Sequence, residues 1–214
     1  MALVTIKGAT KRKRQPRILT VDEFQRFAEK LPQPFSTIAL LCICLGLRIS
    51  ECLALKWSDV NWLEGTLTVE RGIVRQRVGE TKTEESAKTL SLDASLMDVL
   101  KGWKQVSQFS APGDWIFASA SPVQLGRLPY SYPQVMKVFR KAARVSGVGR
   151  LGTHTMRHTY RTLLDSTGTT IGVQAETHAP DVRTTMDLYG GAASKDMREA
   201  NSKVVHIVLP KKAV

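Results

Sequence analysis

The chain has 214 residues, 43% of them hydrophobic and 23% charged, which suits one large or two small globular domains and excludes a disordered chain. Three cysteines, no Cys-x-x-Cys spacing and a longest apolar run (Phe35–Leu47) too short to cross a bilayer exclude a disulfide framework, a zinc ribbon and a membrane helix. The formal net charge of +12 is the unusual value, and it points to an anionic partner, nucleic acid above all.

In chain order, residues 1–18 carry Lys7, Lys11, Arg12, Lys13, Arg14 and Arg17 and no acid, so they read as an extended arm suited to lie along phosphates. They show no apolar core of a secretory signal, and Cys42, Cys44 and Cys52 read as small core residues in a reducing cytoplasm. The one domain boundary falls near residue 18. Thr20-Val21-Asp22-Glu23 is a capping box that predicts a helix to about Lys30, stopped by Leu31-Pro32-Gln33-Pro34. Phe35–Leu47 predicts a helix buried on most sides and ending at Gly46. Arg48 is therefore delivered from the end of a buried helix, a costly place for a lone charge. Glu51 satisfies it, or an anionic ligand does.

From Thr66 the period changes. Thr66–Glu70, Ile73–Val78 and Lys88–Leu92 read as three strands of one small antiparallel sheet, with a polar turn over Gly79–Ser86. On that reading Arg75 and Arg77 share one face of the middle strand, a face that suits DNA. Leu92-Asp93-Ala94-Ser95 starts a helix to Val106, and Phe109–Gly126 is loop-rich around Trp115-Ile116-Phe117. Ser131–Val145 is amphipathic, with Val135, Val138, Phe139 and Ala142 inward and Lys137, Arg140, Lys141 and Arg144 outward. Gly152–Leu164 winds into two stripes, with Thr153 able to cap the first turn. Met156, Tyr160, Leu163 and Leu164 make the buried one, and His154, Arg157, His158 and Arg161 the other. An arginine fork matches two phosphate oxygens at once, although such a stripe also serves as a plain solvated face. Gly168-Thr169-Thr170-Ile171 ends that helix, with further helices near Arg183–Tyr189 and over Ser194–Ser202 and a strand-like apolar tail at Val204–Leu209. The predicted class is α+β, mainly α-helical with a small three-stranded antiparallel sheet.

Three pieces in order carry a family likeness: Gly46-Leu47-Arg48-Ile49-Ser50-Glu51, then His154-Thr155-Met156-Arg157-His158, then Thr184-Thr185-Met186-Asp187-Leu188-Tyr189. Together they resemble the tyrosine recombinase (phage integrase) family, over about Arg17 to Val205. The resemblance implies a DNA breaking-rejoining catalytic domain over residues 19–214, lacking the separate N-terminal helical domain that clamps the far side of the DNA. It implies Arg48, Lys82, His154, Arg157, His178 and Tyr189 as catalytic, supported by Glu51 and His158, with His158 read as a hydrogen-bonded core residue. Tyr189 would join the 3′-phosphate, and Lys82 would protonate the 5′-oxygen, with Lys88 the alternative. The sixth position departs from the family pattern, because Thr177-His178-Ala179-Pro180 lacks the preceding apolar residues, so either His178 or Ala179 fills it. Lys11, Arg12, Lys13, Arg14, Arg17, Arg75, Arg77 and Arg161 would bind DNA. The expected partner is double-stranded DNA, with self-association into a tetramer through the C-terminal segment, no membrane, no cofactor and no metal. A cytoplasmic setting in a bacterium or mobile element follows. The same chemistry serves type IB topoisomerases, and a non-catalytic DNA-binding remnant is the other alternative.

Overall fold

In a computed structural model, which describes residues 16–80, 88–152, 154–169 and 195–209, the Thr20 capping box closes as its spacing predicts. Glu23 N–H donates to Thr20 Oγ1 at 3.2 Å and Thr20 N–H donates to Glu23 Oε2 at 2.9 Å. Helix α1 (Val21–Ala28) then buries Phe24 and Phe27. Helix α2 (Phe35–Cys44) is buried nearly all round and forms the centre of the core, because its sequence is apolar on every face. Its Cys42 and Cys44, and Cys52 of α3 (Ile49–Leu53), are all buried, and burial pushes the Cys44 and Cys52 thiols up. All three are core residues, as expected.

Three strands do form one antiparallel sheet, but with different members from those expected. The order is β1 (Val60–Asn61), β2 (Thr66–Val69) and β5 (Lys88–Ser91), with Val60 opposite Leu67 and Leu67 opposite Leu90. Ile73–Val78 is not one strand. The chain turns at Arg75-Gln76, both at positive φ (50° and 61°), and joins β3 (Arg71–Val74) to β4 (Arg77–Glu80) as a separate two-stranded hairpin. Such a two-residue turn normally signals itself through Asn or Gly, and neither is present. Arg75 and Arg77 therefore do not share a strand face: one lies in the turn and the other opens β4.

Helix α4 (Ala94–Val106) starts as predicted, with Asp93 accepting from Ser95 N–H. Helix α5 (Tyr132–Val145), capped by Ser131, buries Val135, Phe139 and Ala142. Phe139 meets Phe27 edge-on at 5.4 Å and locks α5 to α1. Helix α6 (Thr155–Ser166) buries Met156, Tyr160 and Leu164, with Leu163 half-buried, and ends before Gly168 at φ 71°. Met197, Ala200, Asn201, Val204, Val205 and Val208 recur at helical spacing and are all buried in α7 (Lys195–Val208). The apolar tail is thus the last part of a helix packed on its own core, not a strand. Burial of one face overrides the strand preference of its valines and isoleucine. Tyr160 O–H donates to Asn201 Oδ1 at 2.5 Å and pins α7 to α6. Thr153 and the predicted helix near Arg183–Tyr189 lie outside the described residues.

Candidate active site

Gly46 takes φ 62°, a conformation that costs glycine little, and turns the chain out of α2 towards α3. Arg48 sits at the extended N-cap position of α3. One turn later Glu51 folds back, and its two oxygens accept from Arg48 N–H at 2.9 Å and from Arg48 Nη1 at 2.7 Å. Lys88, first residue of β5, places Nζ 3.5 Å from Glu51 Oε2. The Arg48 side chain remains 43% exposed, whereas Glu51 is 10% and Lys88 20% exposed. The carboxylate is the buried base of the cluster, and Arg48 is its open edge.

Arg157 reaches the same place from α6. Its Nη1 donates to the Gly46 carbonyl at 2.7 Å, 111 positions away in sequence. Met156, Tyr160 and Leu164 are buried beneath it, so the guanidinium stands on an anchored helix. His154 is exposed at the N-cap of α6, with its ring 6.2 Å from that of half-buried His158. His158 is therefore not a core residue. Arg161 is exposed about one turn further on.

The electrostatics follow from this crowding. Burial pushes the Glu51 carboxyl up, but Lys88, the Arg48 N–H and the Arg48 guanidinium together hold its pKa below the ordinary carboxylate value. Burial lowers the Lys88 pKa, opposed by Glu51 and assisted by Arg157 and Arg48. Arg157 is lowered too, by burial first and by Arg48 next. Three cations (Arg48, Lys88, Arg157) thus surround one carboxylate, a surplus of two positive charges beside an open edge. Such an edge suits an oxyanion that gains charge as it reacts. Among the described residues no group of three His, Cys, Asp or Glu side chains could hold a metal ion.

Of the other predicted positions, Arg75 and Arg77 are exposed on the β3–β4 hairpin, and Gln76 Nε2 ties its turn to the Pro129 carbonyl at 3.5 Å. Arg17 pairs with Glu23 at 2.5 Å and donates to the Val148 carbonyl at 3.3 Å. Lys11, Arg12, Lys13, Arg14, Lys82, His178 and Tyr189 lie outside the described residues. The Gly46 carbonyl was missed, since a backbone acceptor leaves no mark on side-chain sequence. Lys88 was weighed for a different role, because a lysine at the start of a strand carries no sign of the carboxylate it meets.

The model of the phage integrase family matches residues 17–186. The integrase of ICEBs1 from Bacillus subtilis is 24% identical over 202 residues, covering 86% of this chain and 52% of that relative. The chain therefore spans about half the length of that relative. Among solved structures, the integrase of mycobacterium phage Brujita superposes with a TM-score of 0.68 at 17% identity, over 94% of this chain and 66% of that one. The Tn1549 transposon integrase, solved in complex with a circular intermediate DNA, gives 0.67 at 16% identity, over 91% of this chain and 67% of that one. With a family match over most of its length and this fold around Arg48, Glu51 and Arg157, the chain belongs to the phage integrase family, the tyrosine recombinases.

Proposed function

We propose that residues 19–214 are the catalytic domain of a site-specific DNA recombinase, which cleaves and rejoins duplex DNA through a 3′-phosphotyrosyl intermediate, and that residues 1–18 are a DNA-contacting arm. The observation that carries this is the meeting of Arg48 and Arg157 at one open edge, each held by a different part of the chain. In the reaction the Tyr189 oxygen attacks phosphorus and loses its proton as the bond forms, since a phenol of pKa near 10 is a weak nucleophile. Arg48 and Arg157 hold the non-bridging oxygens, and His154 hydrogen-bonds the same phosphate or handles the phenol proton. The 5′-oxygen leaves with a proton from Lys82, because the Lys88 ammonium is engaged by Glu51. His178 contributes a further donor to the phosphate. The phosphotyrosyl bond keeps the energy of the broken phosphodiester, so a 5′-hydroxyl reverses the step and reseals the strand.

Self-association on DNA, as a tetramer through the C-terminal segment, belongs to the same reading. Val204, Val205 and Val208 are buried in their own subunit, so contact between subunits falls to the surface around this helix. A groove of about 380 Å³ between α1, α2, α4 and the end of α7, with Phe24, Leu40, Val99 and Leu209 in its lining, supports this as the receiving surface. The setting is the cytoplasm of a bacterial host. Among the described residues no helix is long and apolar enough to cross a membrane.

The test is a nicked suicide substrate carrying the cognate site, incubated with the chain in EDTA. The expected result is a covalent protein–DNA adduct that Tyr189→Phe abolishes. An adduct that persists in Tyr189→Phe removes the assignment.

A further inference from the structure

We propose that the concave pocket at the end of α5, lined by Arg140, Arg144 and Arg150, is a second phosphate site that holds a backbone phosphate of duplex DNA away from the reacting one. This rests on the DNA-binding reading above and adds a place of contact to it.

The pocket has a volume of about 380 Å³, and Gly147, Gly149 and Leu151 complete its wall. The three arginines are exposed, and none has an acid or carbonyl partner among the described residues. That sets them apart from Arg48, Arg71 and Arg157, each of which has an acceptor. Helix α5 contains no acid in 14 residues, so nothing on it competes for the guanidinium groups.

A helix C-terminus ordinarily repels an anion, because its last carbonyls point outward with about half a negative charge. Here the turn removes most of that objection. Gly147 and Gly149 adopt φ 72° and 82°, which lets the chain curl back over the helix end. Gly147 N–H donates to the Arg144 carbonyl at 3.3 Å, and Val148 and Gly149 N–H donate to the Ala143 carbonyl at 3.0 and 3.2 Å. The Ala143 and Arg144 carbonyls are thus occupied, and three full positive charges outweigh the residual dipole.

Two connections place the pocket on the path of DNA. Arg17, where the basic arm joins the fold, donates to the Val148 carbonyl within the turn itself. On the other side, Arg150 is four residues from His154, so their Cα atoms lie no more than about 14 Å apart, at most the rise of about four base-pair steps along the helix axis. Arm, pocket and active-site helix are therefore consecutive, and a phosphate seated at the pocket sets the register of the duplex against Arg48 and Arg157.

The test is the salt dependence of binding to a short blunt duplex of arbitrary sequence, with the full chain. Each phosphate neutralised contributes about 0.9 to the slope of log K against log salt concentration. Arg140→Gln/Arg144→Gln/Arg150→Gln is expected to lower the slope by about 0.9, and the corresponding triple lysine variant to restore it. A charge-matched control on α1, the turn after it and α7, Arg26→Gln/Lys30→Gln/Lys203→Gln, is expected to leave the slope as in wild type. An unchanged slope in the pocket variant, or an equal loss in both glutamine variants, overturns the pocket while the DNA reading stands. A wild-type chain that binds no duplex overturns both.

Discussion

Replacing Glu51 by glutamine changes one charge at nearly constant shape, and the geometry around it sets the expected cost. The carboxylate accepts two hydrogen bonds from Arg48, at 2.9 and 2.7 Å, and faces Lys88 at 3.5 Å. Hydrogen bonds to charged groups are worth about 1.5–3 kcal/mol and neutral ones about 0.5–1.5; glutamine keeps one acceptor oxygen, so one bond weakens by about 1 kcal/mol and the other, now facing an amide NH2, is lost. Loss of the counter-charge for three cations adds to this, while the 43% exposure of the Arg48 side chain lets water screen part of it. The expected destabilisation is about 3 kcal/mol, read as a lower urea midpoint with an unchanged slope. Its pH dependence has a fixed sign. Glu51 titrates below its ordinary value in the folded chain, so the unfolded chain binds the proton first as pH falls. The stability it gives is present in full above about pH 4.3 and is lost as pH drops through the folded value. The difference between wild type and Glu51→Gln should therefore shrink below about pH 4.3. A variant within about 0.5 kcal/mol of wild type, with a difference flat across that acid range, refutes the reasoning, because surface changes ordinarily fall there.

The two lysines separate on a substrate with sulfur at the bridging 5′ position, whose leaving group needs little protonation. Cleavage by Lys82→Ala should be rescued by it and cleavage by Lys88→Ala should not, since Lys88 holds Glu51; the opposite pattern exchanges their roles. Deletion of residues 1–17 should flatten the salt dependence of duplex binding by several units at about 0.9 per phosphate, and an unchanged slope means that the arm does not touch DNA.

Much of the site could be read from the residues because its signals are local. The Arg48–Glu51 pair shows as a charge delivered at the end of an apolar helix with an acid one turn on, and the two stripes of α6 follow from spacing alone. The β3–β4 hairpin could not be read, since Arg75-Gln76 turns at positive φ without the residues that favour it, and no Gly, Asn or Pro interrupts Ile73–Val78. Val204–Leu209 misled for the converse reason: its composition favours a strand, while the spacing that makes it a helix begins at Met197. Contacts between distant segments were invisible as well. The Gly46 carbonyl on Arg157 joins backbone to side chain across the fold, and the arginine pocket exists only because a glycine turn brings Arg150 beside Arg140 and Arg144.

The measurement that bears most directly on the central claim is mass spectrometry of the digested adduct after cleavage of the suicide substrate. The account predicts one modified peptide, carrying a nucleotide esterified through its 3′-phosphate to Tyr189, with a free 5′-hydroxyl on the departing strand. A 5′-phosphate linkage, or attachment at any other residue, would contradict it.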